Sequence, residues 1–321
     1  MIKDEAIDPM PLHGKTIAIV GFGNQGRAQA LNLQDSGVQV IVGLRSGSPS
    51  EAEVKASGLD VMQPAEAVRD ADLVMLLAPD ERLAAIYEDV APRLRSGAAI
   101  GFSHGLAIHF GLIAPRPDLD VIMVAPKGPG TALRNLYQEG KGMVALAGVA
   151  QDASGEAWPL ALAYAGALGC GRAGVIRSTF EEECVADLFN EGAVVWGAVP
   201  AILQAGFDTL VAAGIQPEVA YLECVSELKL LAGLIEVRGI AGTAEAISNT
   251  AEFGALRGGP SIVDHSVRAR MEDVLVEVRS GGFVQALAEE AEADYPKLRR
   301  ARQQARTSAL EAARLRLVQQ N

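Results

Sequence analysis

Residues 15–26 read Lys15-Thr16-Ile17-Ala18-Ile19-Val20-Gly21-Phe22-Gly23-Asn24-Gln25-Gly26. Lys15 to Val20 is a short run of strand-forming residues, and a helical pattern follows from Gln25 to about Ser36. A second strand-type run, Val38 to Val42, comes next. Strand, glycine-rich turn, helix and strand in that order form a βαβ unit with G-x-G-x-x-G at its first turn. The glycines permit a tight turn and let backbone N–H groups at the helix start approach a pyrophosphate. Gly21, Phe22, Gly23, Asn24, Gln25 and Gly26 are therefore the expected phosphate-binding residues of a dinucleotide site. A glycine turn without a ligand is the alternative, and the two flanking strands at this spacing count against it.

The end of the second strand bears on which dinucleotide is bound. An NAD site usually has an acid there for the ribose 2′-hydroxyl. This chain instead reads Gly43-Leu44-Arg45-Ser46-Gly47-Ser48-Pro49-Ser50. Arg45 offers a planar cation and Ser48 and Ser50 offer hydroxyls, a set suited to a 2′-phosphate and so to NADP(H). Ser50 is also placed to cap the helix that follows.

Outward from this unit the α/β alternation continues. Strands are expected at Leu73 to Leu77, Ala98 to Phe102, Val121 to Ala125, Met143 to Ala147 and Arg172 to Ile176, with helices between them. Continuous Val, Ile and Leu runs alternating with helices indicate a parallel sheet covered on both faces. Ligands on such sheets bind beyond the carboxyl ends of the strands. Ser103-His104-Gly105 and Pro126-Lys127-Gly128-Pro129-Gly130 follow two of those ends. His104 and Lys127 are thus candidate catalytic residues, although one such residue alone is more often plain surface.

After Thr179 no strand-like run follows, and apolar residues recur at helical spacing to about Val318. The expected division is a Rossmann-type domain over residues 1–180 and an all-α domain over residues 181–321. Two acid pairs lie in the helical part, Asp187 with Glu191 and Glu223 with Glu227. Residues four apart share a helix face, and like charges there repel by roughly 0.2–0.5 kcal/mol. The flanks are apolar, with Leu188, Phe189, Val194 and Trp196 by the first pair and Leu228, Leu230 and Leu231 by the second. All-oxygen ligands in such a setting suit a hard cation such as Mg²⁺. The alternative is the exposed charged edge of two amphipathic helices.

The chain has 321 residues, 49% of them hydrophobic and 21% charged, enough for a sizeable core and two domains. A net charge of −12 argues against a nucleic-acid binder, because phosphate backbones demand clustered Lys and Arg. Three cysteines without metal spacing fit a reduced, cytoplasmic protein. Met1 to Pro11 is acidic and lacks the apolar core of a signal peptide. Gly192 to Gly206 is apolar but short and contains Pro200, so it is expected to be a buried helix and not a membrane span.

The motifs at residues 21–26, 43–45, 103–105 and 125–130 belong together with three in the helical half: Asp187-Leu188-Phe189-Asn190-Glu191, Glu223 to Leu228, and Ile247-Ser248-Asn249-Thr250-Ala251-Glu252. From about Gly14 to Phe283 the chain resembles ketol-acid reductoisomerase in its short, prokaryotic-type form. The resemblance implies an enzyme of valine and isoleucine synthesis. It would turn 2-acetolactate or 2-aceto-2-hydroxybutyrate into a 2,3-dihydroxy acid by Mg²⁺-dependent alkyl migration and hydride transfer from NADPH. It implies two Mg²⁺ ions held by Asp187, Glu191, Glu223 and Glu227, and a substrate carboxylate bound by Ser248. His104 and Lys127 would belong to the surrounding polar network, with Gly130 on the cofactor side of its turn and Pro129 on the substrate side. It implies also a knotted helical domain and a homodimer whose subunits share each site.

Some positions depart from the family pattern. Glu183-Cys184-Val185-Ala186 stands where Glu-Thr-Glu-Thr is common, so one acid and two hydroxyls are missing. Asn190, Gly192, Ser226, Thr131 and Ala107 replace Gly, Gln, His, His and a polar residue. Such a set suggests altered tuning or another keto-hydroxy acid as substrate. A plain NADP-dependent hydroxyacid dehydrogenase and an inactive NADP-binding protein are further alternatives. The first does not need two acid pairs, and retention of those acids counts against the second.

Overall fold

The computed structural model describes residues 1–318. The chain divides into two compact units, the first Met1–Ala186 and the second beginning at Asp187. The first unit is built on an eight-stranded sheet: β1 (Thr16–Val20), β2 (Gln39–Gly43), β3 (Asp60–Met62), β4 (Leu73–Leu76), β5 (Ala99–Phe102), β6 (Asp120–Pro126), β7 (Ala145–Gln151) and β8 (Val175–Arg177). Their order is β3-β2-β1-β4-β5-β6-β7-β8, so the sequence reverses direction beside β1. That reversal opens a crevice beyond the carboxyl end of β1, where Gly21 lies.

Side-chain alternation explains why the sheet is covered twice. Ile17, Ile19, Met75 and Val124 enter one core with Leu33 and Tyr164, while Ala18, Val20, Val74 and Met123 enter the other with Leu83, Phe102 and Phe180. Successive residues of a strand point to opposite faces, so strands apolar at every position must be sandwiched. The sandwiching helices are α1 (Asn24–Asp35), α2 (Glu51–Ala56), α3 (Pro64–Ala67), α4 (Asp80–Val90), α5 (Leu106–His109), α6 (Gly130–Gln138), α7 (Ala157–Ala167), α8 (Cys170–Ala173) and the start of α9 (Phe180–Phe189).

The sheet is not wholly parallel as expected. β7 runs antiparallel to β6, Pro126 pairing with Ala145 and Ile122 with Val149. The chain leaves β6, forms α6 and returns to the same end, where the Lys127 N–H reaches the Val144 carbonyl at 2.9 Å. Residue pattern alone carries no strand direction. The strand also begins later than expected, at Ala145 and not Met143. β8 is shifted too, because residues 170–173 form α8 and Gly174 turns the chain at φ 122. The edge strand β3 was not foreseen, being three residues long with mostly exposed side chains.

Among the described residues the second unit is all helical: α10 (Ala198–Ala212), α11 (Pro217–Tyr221), α12 (Leu228–Ala246), α13 (Asn249–Ile262), α14 (His265–Arg279), α15 (Gly282–Glu292), α16 (Pro296–Arg306) and α17 (Ala309–Val318). Phe207, Ala220 and Ala313 form its small core. The expected burial of residues 192–206 is mostly not seen within one chain: Ala193 is buried, but Val194, Val195, Trp196 and Ile202 are exposed. The helix Phe180–Ala212 is long and apolar enough to cross a bilayer by length and composition, and 6% of its most apolar window is buried.

Candidate active site

The first turn of α9 is where the site begins. Thr179 caps it, its Oγ1 accepting the Glu182 N–H at 3.0 Å, and Glu181, Glu182 and Glu183 lie in the turn that the helix dipole favours for acids. Phe180 packs edge-on against Phe102 at the end of β5, ring centroids 6.2 Å apart. A Cβ at Gly105 would collide with the Phe180 carbonyl oxygen, so only glycine lets the two segments meet. This contact draws residue 183 onto the strand ends.

Glu183 is the residue that sequence reasoning passed over. Its side chain is 1% exposed. Oε2 meets His104 Nδ1 at 2.9 Å and accepts the Gly105 N–H at 2.8 Å, while Oε1 accepts from Lys127 Nζ at 3.3 Å. Burial alone would push this carboxyl up. The hydrogen bond and charge of His104, the charge of Lys127 and the Gly105 N–H together outweigh burial and hold it below its usual value. The two expected catalytic residues, 23 positions apart by their numbers, thus converge on one carboxylate. The available signal was its place one helical turn before Asp187, on the same helix face.

Among the acid pairs, each encloses or abuts a π-helical turn. Asn190–Val194 contains Glu191, and Leu222–Ser226 contains Glu223 and is followed by Glu227. Such turns are rare and recur at functional sites. Glu191, Glu223 and Glu227 are exposed and Asp187 is half-buried. Among the described residues, no three of these four bring their carboxylate oxygens within 4.8 Å of one another in a single chain. The donor set, four carboxylates, nevertheless fits a hard divalent cation. Ser248 is exposed and its Oγ accepts the Ala251 N–H at 3.2 Å as the cap of α13, so it too holds a helix start in place.

The dinucleotide turn has the expected shape. Gly21 adopts φ 106, and a Cβ there would lie 2.6 Å from the Leu77 carbonyl oxygen. Gly23 and Asn24 are exposed at the start of α1, and Gly26 is buried. The Phe22 ring is buried in the core beneath the turn. Gln25 Nε2 donates to the Gly128 carbonyl at 2.9 Å, and Asn24 Oδ1 accepts the Thr131 N–H at 2.9 Å. Gly130 is buried against Asn24, and a Cβ there would collide with the Asn24 carbonyl oxygen. Pro129 is exposed at the cap of α6. In the loop after β2, Arg45 is exposed and Ser48 Oγ accepts the Ser50 N–H at 3.4 Å. Ser50 occupies the cap position of α2 without a side-chain cap bond, so its expected capping role is not seen.

Residues 11–174 match the family model of the acetohydroxy acid isomeroreductase NADPH-binding domain, and residues 180–320 match that of the ketol-acid reductoisomerase C-terminal domain. A relative from Kineococcus radiotolerans, "Ketol-acid reductoisomerase (NADP(+))", is 47% identical over 97% of this chain and 92% of its own. One of the same name from Xanthomonas campestris pv. campestris is 50% identical over 88% of this chain and 85% of its own. The solved structure of an NADH-preferring ketol-acid reductoisomerase from an uncultured archean superposes with TM-score 0.96 at 40% identity, covering 99% of this chain and 98% of that one. With both domain models matched in order and such identity across almost its full length, this chain belongs to the ketol-acid reductoisomerase family.

Proposed function

We propose that this chain converts 2-acetolactate or 2-aceto-2-hydroxybutyrate into the 2,3-dihydroxy acid, in branched-chain amino acid synthesis, with NADPH and two Mg²⁺ ions. The observation that carries this reading is Glu183, a buried carboxylate joining His104 and Lys127 at adjacent strand ends one helical turn before Asp187. Asp187, Glu191, Glu223 and Glu227 would hold the metals, which when bound polarise the ketone and lower the pKa of the neighbouring hydroxyl. Arg45, Ser48 and Ser50 would take the 2′-phosphate of NADPH, which supplies the hydride.

The chain's own groups have separate tasks. Glu183 accepts a hydrogen bond from the Nδ1–H of a neutral His104, which leaves the Nε2 lone pair free to take up a proton that the ring can later return. Lys127 brings a cation to stabilise a developing oxyanion. Ser248 receives the substrate carboxylate while it caps α13. The exposed apolar surface of the second unit supports a homodimer completing each site, since four acids that one chain leaves apart need a second chain to meet. The setting is cytoplasmic.

A second reading is a relative acting on a different keto-hydroxy acid. Cys184, Val185 and Ala186 lie between Glu183 and Asp187 and bring no hydroxyl or carboxylate to that turn. NADPH oxidation over a panel of 2-aceto-2-hydroxy acids, with and without Mg²⁺, separates these readings. Mg²⁺-dependent turnover of acetolactate supports the first, and turnover of another member of the panel supports the second. Mg²⁺-independent reduction of simple 2-keto acids would indicate a plain dehydrogenase. Tight NADPH binding without turnover would indicate an inactive binder.

A further inference from the structure

Below the strand ends lies a buried series of polar side chains that no step above uses. Gln29, on α1 and fully buried, donates from Nε2 to Gln25 Oε1 at 3.1 Å and to Ser103 Oγ at 2.7 Å. Its Oε1 accepts the hydroxyl of Tyr164, also fully buried, at 2.7 Å. At one end Gln25 Nε2 donates to the Gly128 carbonyl at 2.9 Å, and at the other Ser103 Oγ donates to the Val124 carbonyl at 3.0 Å.

The direction of every bond in this series is determined. Ser103 gives its one proton to Val124 and can only accept from Gln29. Gln25 turns its NH₂ to Gly128, so its oxygen faces Gln29. Both neighbours require the NH₂ of Gln29, and its oxygen is left to Tyr164, which must donate. A reversed Gln29 amide would set acceptor against acceptor at two places. Ser103 and Gln25 therefore set the amide's orientation, and Tyr164, whose hydroxyl can give or take a hydrogen bond, anchors it by donating to the amide oxygen.

The ends of the series are the relevant part. Ser103 precedes His104 and Gly128 follows Lys127, while Gln25 belongs to the dinucleotide turn. We propose that Gln29, anchored by Tyr164, is a positioning residue that holds the His104 and Lys127 turns in mutual register with the dinucleotide turn. The proposal rests on the reading of His104, Lys127 and Glu183 as the polar centre of the reaction. A displacement of about 1 Å in such groups can cost up to about 100-fold in rate.

The test is a double-mutant cycle in the full-length, Mg²⁺-loaded enzyme, using Tyr164→Phe, Gln29→Met and both together, with His104→Gln as reference. Should Gln29→Met fail to fold, Ser103→Ala takes its place in the cycle. The expected result is a fall in kcat of roughly 10-fold in Tyr164→Phe and roughly 10- to 100-fold in Gln29→Met, with KM and Kd for NADPH within about 3-fold of the parent. Tyr164→Phe should add little to Gln29→Met, because the hydroxyl acts through the amide. An unchanged kcat in Tyr164→Phe, or a loss that multiplies undiminished in the double variant, overturns the proposal while His104→Gln remains impaired. Full turnover in His104→Gln overturns the reading of the site itself, and the proposal with it.

Discussion

His104 and Glu183 stand 79 positions apart in the chain and meet at 2.9 Å, Nδ1 to Oε2, with Glu183 almost wholly shielded from water. A buried carboxylate in this position orients the imidazole, balances the charge of Lys127 and would balance that of the imidazole once it takes up a proton. Replacing it by glutamine would keep the shape and remove the charge. The Glu183→Gln enzyme should fold, yet lose about 10- to 100-fold in kcat/KM, the usual cost of a lost orienting partner. Circular dichroism and NADPH oxidation measured together check this, and parent-like turnover would refute it.

The same carboxylate makes stability depend on pH. Its folded pKa lies below the ordinary 4.5, so the folded state favours the charged form. Its stabilisation is full above that ordinary value and is lost as pH falls below it toward the folded value. Urea midpoints recorded from about pH 6 down to about 3.5 should therefore decline in the parent below about pH 4.5. The decline should be shallower in Glu183→Gln. Parallel curves would show that Glu183 is not a source of the acid sensitivity.

Cofactor choice should follow Arg45. An Arg45→Asp substitution exchanges a cation for an acid at the end of β2, where it would repel a 2′-phosphate and accept a ribose hydroxyl. Loss of a charge-assisted bond worth about 1.5–3 kcal/mol corresponds to roughly 10- to 100-fold in kcat/KM for NADPH. The value for NADH should rise or hold. Steady-state kinetics with both cofactors decide it, and an unaltered ratio would place the 2′-phosphate elsewhere.

Metal dependence should trace to both acid pairs. Glu191→Gln and Glu223→Gln are each expected to reduce turnover on the order of 100-fold or more and to raise the Mg²⁺ needed for half-maximal rate. NADPH binding should stay within about 2-fold, since the dinucleotide turn belongs to the other unit. Chelation of the parent by EDTA should abolish turnover reversibly. An effect confined to one of the two pairs would mean that they do not serve a common metal site.

The uncovered helices predict an oligomer. Leu230, Phe253 and Leu256, on α12 and α13, are 68%, 60% and 70% exposed within one chain. Sedimentation should show at least twice the single-chain mass. Phe253→Asp combined with Leu256→Asp should shift the protein toward monomer and abolish activity together. A fully active monomer would dismiss the shared-site arrangement.

Much of this architecture can be read along the chain. Unbroken apolar runs mark β1, β4, β5 and β6 as doubly covered strands, because burial on both faces is a property of each strand's own composition. The glycine pattern at residues 21–26 marks its turn for a similar reason: steric freedom at Gly21 is a local requirement. The acid pairs are equally visible, since residues four apart share a helix face wherever the helix lies. Strand direction, the partner of a buried carboxylate and the routing of the Gln29 amide are different in kind. β7 reads the same whether parallel or antiparallel, and nothing beside Glu183 names His104 or Lys127. The meeting of Glu183 with His104 goes with the Phe102–Phe180 contact between segments nearly 80 positions apart, and the other two with the pairing of β6 and β7 and the packing of α1. They are set by long-range packing and by the need to pair every buried polar atom, which no local pattern records.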